Sequence, residues 1–310
     1  MVIKEAKRPT VASFFTGIGG FDLGFQQAGF EVVYQCEIDK YCQSILQRHW
    51  PDVPKEKDIK KAGVESIIPS ADVWVGGFPC QDISLAGVGP RPGLAGEKSG
   101  LFYEFYRLVE RYSPGVFVLE NVCGLLCSNQ GNDIKIILEK FTKLGYCVGW
   151  RVCNSKNFRV AQSRRRIFLV GCYRNRSGPA KILFEPSCSK RTATAIQENQ
   201  KFRIQIPGKS SGETRKSVIV NSDIARCLIT QPAGIFSNYV SYPNGTARKL
   251  MPVEYERLQG FPDGWTTPGS DLRRYRALGN AVTVPVAKWL AGGIYRYLDA
   301  HKNTQSRNYS

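Results

Sequence analysis

The chain has 310 residues, 42% of them apolar, which suffices for one substantial core and a smaller second unit. No apolar run approaches the ~18 residues of a membrane span, and Met1-Val2-Ile3-Lys4-Glu5 opens no apolar leader, so the expected location is cytoplasmic, with nucleoid association if the source is prokaryotic. The net charge of +17 is segregated: residues 1–150 carry 16 Lys/Arg against 17 Asp/Glu and residues 151–276 carry 23 against 8, which favours a cofactor domain beside a polyanion-binding surface over an evenly solvated basic protein.

In chain order, Val11-Ala12-Ser13-Phe14-Phe15 predicts a buried strand, followed at once by Thr16-Gly17-Ile18-Gly19-Gly20. Val32-Val33-Tyr34-Gln35-Cys36 predicts a second strand. Asp39 is placed to cap a helix that runs to His49 and is stopped by Pro51. Residues 73–76 predict a third strand, Leu101 to Val109 a helix, and 116–119 a fourth strand. Asn132 is expected to cap a helix whose apolar stripe is Ile134, Ile137, Leu138, Phe141 and Leu144. Ile167-Phe168-Leu169-Val170 predicts a fifth strand. The alternation predicts an α/β fold, a parallel sheet with helices on both faces. After Gly171 the rhythm fails: residues 173–247 are polar and basic, and predict a small unit of short strands and loops. Helical spacing returns from Val284 to Leu298, with Pro285 in the first turn. That helix is expected to pack back on the sheet and make the large domain discontinuous.

Glycines directly after a strand let the backbone turn sharply and approach a ligand. Glu37 follows Gly17 by 20 residues, at the end of the second strand, where a carboxylate can accept hydrogen bonds from ribose hydroxyls. The dinucleotide fingerprint is broken at position 22, where Asp replaces Gly and would repel a pyrophosphate. A nucleoside cofactor without phosphates fits better, which points to S-adenosyl-L-methionine held by Phe15, Gly17, Gly19 and Glu37. Asp58 and Ile59 could add a carboxylate for an adenine amino group and an apolar wall. A turn-capping acid is the plainer reading of Asp58 taken alone.

Two reactive groups stand just past predicted strands, Cys80 in Pro79-Cys80-Gln81 and Glu120 in Glu120-Asn121-Val122. A thiol and a carboxylate so placed can attack and protonate an electron-poor ring. The ten cysteines lack framework spacing and are expected to be reduced thiols. Zinc is not expected, because Cys123-x3-Cys127 has no matching pair and the two histidines, His49 and His301, lie far apart. Residues 82–100, rich in Gly and Pro, predict a lid beside Cys80.

Taken together, Phe15-Thr16-Gly17-Ile18-Gly19-Gly20, Gly77-Phe78-Pro79-Cys80-Gln81, Glu120-Asn121-Val122, Gln162-Ser163-Arg164-Arg165-Arg166, Arg257-Leu258-Gln259-Gly260-Phe261-Pro262 and Gly279-Asn280-Ala281-Val282 resemble the cytosine-C5 DNA methyltransferase family. The resemblance covers nearly the whole chain apart from about 173–247. It implies a Rossmann-like S-adenosylmethionine-binding catalytic domain at 1–174 and 277–310, a small, mostly β and irregular target-recognition domain at 175–276, and a DNA cleft between them. Cys80 is implied as the nucleophile at cytosine C6 and Glu120 as the partner of N3. Arg164 and Arg166 are implied to contact the base region, the acid and the DNA backbone, with Gln162 ordering the segment and Arg165 facing solvent. Leu101, Asn280 and Ala281 are implied in the cofactor pocket. Many relatives carry an aromatic residue after the acid; this chain has Ile38, so aliphatic packing takes the place of stacking. DNA contacts are expected from Gln81, Ser84, Arg91 and Gln231, with Lys98, Asn238 and Tyr239 as further candidates.

The implied reaction is methyl transfer to C5 of a cytosine flipped out of a specific double-stranded DNA sequence, with unstacking costing a few kcal/mol. The expected partner is duplex DNA, a restriction endonuclease acting on the same site is a candidate that the sequence does not decide, and the chain is expected to be a monomer. The same chemistry on tRNA is one alternative. That branch of the family carries Cys-Phe-Thr before the last motifs, where this chain has Cys227-Leu228-Ile229-Thr230. A catalytically silent DNA-binding regulator is the other, and the presence of both Cys80 and Glu120 argues against it.

Overall fold

The computed structural model describes residues 8–83, 92–184, 201–206, 218–230, 238–241 and 246–307. β1 (Thr10–Phe14) leads through α1 (Gly20–Gln26), β2 (Glu31–Cys36) and α2 (Lys40–His49) to the short β3 (Lys55–Glu56). β4 (Val73–Gly76), α3 (Phe102–Tyr112), β5 (Val116–Val122), α4 (Asn132–Lys143) and β6 (Tyr146–Asn154) follow. Next come β7 (Gln162–Ser163), β8 (Arg165–Tyr173), α5 (Gly178–Leu183), β9 (Lys201–Ile206), β10 (Val218–Ser222), β11 (Ala225–Arg226), β12 (Asn238–Ser241) and β13 (Ala247–Lys249). The chain continues through α6 (Pro252–Gln259), α7 (Asp271–Asn280) and α8 (Val284–Arg307).

Seven strands form one sheet in the order β3-β2-β1-β4-β5-β8-β6. β1 pairs in parallel with both β2 and β4, β4 with β5, and β2 with β3; β8 runs antiparallel to β5. Alternate residues of β1 serve opposite faces, as strand geometry requires. Ala12 and Phe14 belong to the layer completed by α3 and α4, where Phe14 meets Trp74 at 4.7 Å and Phe105 at 5.5 Å between ring centroids. On the other face Phe21 of α1 stands edge-on to Phe168 of β8 at 6.4 Å, and Phe30 to Tyr295 of α8 at 6.0 Å. Helices cover both faces, as the alternation predicts.

Asp39 caps α2 as expected, its Oδ1 accepting from the amides of Tyr41 and Cys42 at 2.9 and 3.0 Å. Asn132 does not cap α4. It is the first helical residue, and the cap is Gly131 at φ 87°. β6 lies at the edge of the sheet with most side chains half exposed, so its sequence carries no continuous apolar run and predicts no strand. Among the described residues no helix is long and apolar enough to cross a membrane.

Two compact units form, one from 1–152, 166–187 and 286–310 and the other from 153–165 and 188–285. The boundaries differ from those read in the sequence at 153–165 and 277–285, which belong to the smaller unit, and at 175–187, which belongs to the larger; the bonds of 153–165 show why. Ser155 bonds Thr283, Gln162 bonds Leu258, and Arg164 bonds Ala281, so this segment folds with the smaller unit. That unit holds a four-stranded sheet, β10-β9-β12-β13, and a parallel β7–β11 pair. It also contains α6 and α7, beyond the strands and loops read at 173–247, and is richer in helix than the mostly β and irregular domain that the resemblance implies. The buried face of α6 carries Glu256 and Gln259 beside Tyr255 and Leu258, which obscures its helical apolar period.

Asp22 requires a correction. It does not face a ligand across the glycine loop; it is 0% exposed, taking Ser13 Oγ at 3.0 Å and Gln35 Nε2 at 2.8 Å. Burial pushes its carboxyl from 3.8 up to about 6 against the pull of these two donors. The folded state therefore holds this proton more tightly than the unfolded chain does. The associated stability is present below pH ~4 and is lost as pH rises through about 6, by on the order of 3 kcal/mol. Asp22→Asn, which cannot ionise, is expected to gain stability relative to the parent between pH 4.5 and 7.5, as read from urea midpoints of both proteins at the two pH values.

Candidate active site

The parallel sheet sends the loops after β1 and β4, neighbouring strands whose chain connections diverge, out of the same edge. Crevices at such switch points hold ligands in open α/β sheets. β1 ends one residue earlier than the sequence predicts, because Phe15 turns into the left-handed region at φ 51°. Such a conformation costs on the order of 1–3 kcal/mol outside glycine. Gly19 follows at φ 83°, and a Cβ there would stand 2.5 Å from the Trp50 ring. At Gly17, φ 59°, a Cβ would meet no atom within 4 Å, so the loop faces open space.

The amide of Gly17 donates to Glu37 Oε2 at 2.7 Å, and that of Asp39 to Oε1 at 2.8 Å. Burial pushes the Glu37 carboxyl above the usual carboxylate range while these two amides oppose the shift. Ile38 beside it is 71% exposed, and Phe15 and Leu101 are partly buried against the core. Asp58 caps its own turn, accepting the Lys60 amide at 3.0 Å, and Ile59 lies in the core at 5% exposure rather than on an open wall. A carboxylate bonded to an open glycine and followed in the chain by an exposed apolar side chain fits a nucleoside-bearing methyl donor. Glu37 would take ribose hydroxyls, and Phe15, Ile38 and Leu101 would supply apolar surface.

One strand over, Gly76 of β4 pairs with Leu119 of β5, which sets Gly77 level with Glu120. A Cβ on Gly77 would stand 3.1 Å from Glu120 Oε2, so a larger residue there would crowd the carboxylate. Cys80 lies three residues further on, half-buried, in a turn closed by the Ile83 amide donating to its carbonyl at 3.0 Å. Asn121, 1% exposed, donates from Nδ2 to the Phe78 carbonyl at 3.1 Å and accepts the Val122 amide at 2.8 Å. β8 contributes the cation. Glu120 faces Phe168 and Val122 faces Arg166 across the antiparallel pair, so Arg166 sits diagonally from Glu120 on the same face. Its Nε lies 3.1 Å from Glu120 Oε1, with the two side chains 18% and 10% exposed. Among the described residues nine cysteines are unlinked by disulfides; burial pushes the Cys36 thiol up, and that of Cys172 to about 12.

In the smaller unit, Gln162 is 0% exposed, donating to the Leu258 carbonyl at 2.9 Å and accepting the Leu228 amide at 3.0 Å. Arg164, 2% exposed, donates to the carbonyls of Ala281 at 3.1 Å and Leu228 at 3.4 Å. Arg164 lies between β7 and β8, outside both strands. Arg165 is exposed, as expected. Asn280 is exposed at the end of α7, and Ala281 is buried behind it. The sequence reading assigned no role to Gln259 or Thr283, which join in this network: Thr283 Oγ1 donates to Gln259 Oε1 at 2.8 Å. Polar residues inside otherwise apolar segments were the available signal. Gln81 is exposed and Tyr239 half-exposed in β12. Ser84, Arg91 and Gln231, and residues 84–91 of the expected lid, lie outside the described residues.

The family model for C-5 cytosine-specific DNA methylase matches residues 10–221 and 187–296. The chain belongs to the C-5 cytosine-specific DNA methylase family. Type II methyltransferase M.Bsp6I of Bacillus sp. (strain RFL6) is 33% identical over 312 residues, 92% of this chain and 98% of the relative. Type II methyltransferase M.DsaV of Dactylococcopsis salina is 30% identical over 314 residues, 95% and 88% of the two chains. In fold, the S. pombe Dnmt2 methyltransferase superposes with a TM-score of 0.71 at 16% identity, over 94% of this chain and 99% of the other. Family membership makes the protein an enzyme, a DNA (cytosine-5-)-methyltransferase, with S-adenosyl-L-methionine as methyl donor.

Within this family member the Asn121 bonds hold the ends of β4 and β5 together below the thiol. Asn121→Ala is expected to lower stability by about 2 kcal/mol, because the buried Phe78 carbonyl and Val122 amide lose their partner. Denaturant unfolding of the variant measures it.

Proposed function

We propose that the chain methylates C5 of a cytosine flipped out of a specific duplex DNA sequence, through a transient bond between Cys80 and C6. The observation that carries this reading is the level pairing of Gly77 with Glu120, three residues before a half-buried thiol. The Cys80 thiolate gives its electron pair to C6, the C5–C6 π pair becomes nucleophilic at C5, and the Glu120 carboxyl gives a proton to N3. S-adenosylmethionine, when bound, supplies an electrophilic sulfonium methyl group to the carbon so activated. A water molecule takes the C5 proton, the electron pair of that C–H bond re-forms the C5–C6 double bond and expels the sulfur as thiolate, and N3 returns its proton to Glu120, leaving 5-methylcytosine and S-adenosylhomocysteine. Arg166 holds one oxygen of Glu120, which leaves the carboxyl oriented as the ring charge changes.

The larger unit, with Glu37, Cys80 and Glu120, is the catalytic part in this reading, and the smaller unit is the target reader. The buried bonds of Arg164 support a role in shaping that unit more than one in direct contact with DNA. The type II names of the relatives support duplex DNA as partner and an endonuclease that shares the target site. A single chain suffices for the chemistry, which is consistent with a monomer.

Cys80→Ala is expected to abolish methylation while retaining S-adenosylhomocysteine binding, and the parent is expected to be trapped covalently on duplex DNA containing 5-fluorocytosine. Bisulfite sequencing of DNA from expressing cells reads the first, and a denaturing gel the second. Methylation by the Cys80→Ala variant would falsify the nucleophile, and preference for tRNA over duplex DNA would move the substrate to the alternative branch. Because residues 151–276 carry 23 Lys/Arg against 8 Asp/Glu, DNA affinity is expected to fall roughly a hundredfold or more between 50 and 200 mM salt. A flat titration by fluorescence anisotropy would remove the phosphate-binding role from that charge.

A further inference from the structure

We infer that Asp82 is a positioning residue for the reaction, a clamp that fastens the turn carrying Cys80 to the start of the following helix. The inference rests on the reading of Cys80 as nucleophile. Asp82 Oδ2 accepts the amide of Lys98 at 3.1 Å and that of Ser99 at 2.8 Å. These amides open the single turn Ser99–Leu101 that runs directly into α3. Helix starts present donors with no partner of their own, and a carboxylate both satisfies them and suits the positive end of the peptide dipoles. Here the capping group comes from 16 and 17 residues back in the chain, so the cap is also a tertiary bond.

Ser99 returns the connection. Its side chain is fully buried, and its Oγ donates to the Pro79 carbonyl at 3.0 Å, on the residue before Cys80. The Asp82 carbonyl accepts the Gly93 amide at 3.2 Å. Gly96 packs directly on the carboxylate, where a Cβ would stand 2.4 Å from Asp82 Cγ. Residues 79–82 are thereby tied to 93–99 from both sides of the sulfur. A negative charge two residues from a nucleophilic thiol does nothing to activate it, so the service of Asp82 is geometric. Nucleophilic attack needs the reacting atoms within about 3–3.5 Å, and a displacement of about 1 Å can cost a hundredfold in rate.

The test is single-turnover methyl transfer to duplex DNA, with S-adenosylhomocysteine affinity measured by calorimetry on the same preparations. Asp82→Ala is expected to slow transfer about a hundredfold while affinity changes less than about threefold. Asp82→Asn, which keeps an acceptor oxygen for the two amides, is expected to recover most of the rate. Gly96→Ala, which presses on the same carboxylate without removing it, is expected to slow transfer in the same direction. An Asp82→Ala rate within about twofold of the parent overturns the clamp. So does a rate loss matched by an equal loss of affinity, or an Asp82→Asn variant as slow as Asp82→Ala. Cys80→Ala in the same assay separates the two claims. Transfer by that variant sinks the nucleophile itself, whereas an inactive Cys80→Ala beside an unimpaired Asp82→Ala sinks the clamp alone.

Discussion

Parallel pairing of β1, β4 and β5 is the constraint on which the larger unit depends. Three neighbouring strands running the same way must release their loops at the same edge. The register Gly76 to Leu119 then decides that Glu120 stands beside Gly77. Shifting that register by one residue would turn the carboxylate to the opposite face of the sheet. Everything chemical in the unit follows from this level: the open glycine loop after β1, the thiol loop after β4, and the acid at the end of β5. The aromatic layer of Phe14, Trp74, Phe105 and Phe117 lies beneath it and makes slippage expensive.

Much of this was legible in the sequence because buried parallel strands leave continuous apolar runs. Residues 73–76 and 116–119 could be read at once, and each reactive group follows such a run. The cap at Asp39 was equally plain, since a short acid before an apolar stripe has few other meanings. Asp22 was misread because sequence spacing locates a residue along a helix but not on which side it faces. Burial inside α1 turned an apparent ligand contact into a satisfied core carboxyl. β6 escaped notice because an edge strand with half-exposed side chains has no strong period.

The smaller unit was the less legible part, for a different physical reason. Its interior is held by amides and carbonyls as much as by hydrocarbon. Gln162, Arg164, Gln259 and Thr283 all lie buried and joined in one network. Glu256 likewise takes the amides of Gly264 and Thr266 and the guanidinium of Arg274. Hydropathy patterns cannot report such a core, because its members score as surface residues. The motif Arg257-Leu258-Gln259-Gly260 carried the information instead, as residue identity rather than period. Networks of this kind are stringent: each member that loses its partner leaves a dehydrated polar atom behind.

The depth of the sulfur atoms has a practical consequence. Cys36 and Cys172 lie within the sheet, and desolvation keeps both as neutral thiols at physiological pH, where they behave as hydrocarbon. Alkylating reagents and peroxide attack the anion, so they pass these two by and spend themselves on outer positions such as Cys127. Labelling of the native enzyme would thus leave Cys36 and Cys172 until last, with exposed thiols and the proposed nucleophile Cys80 reacting ahead of them.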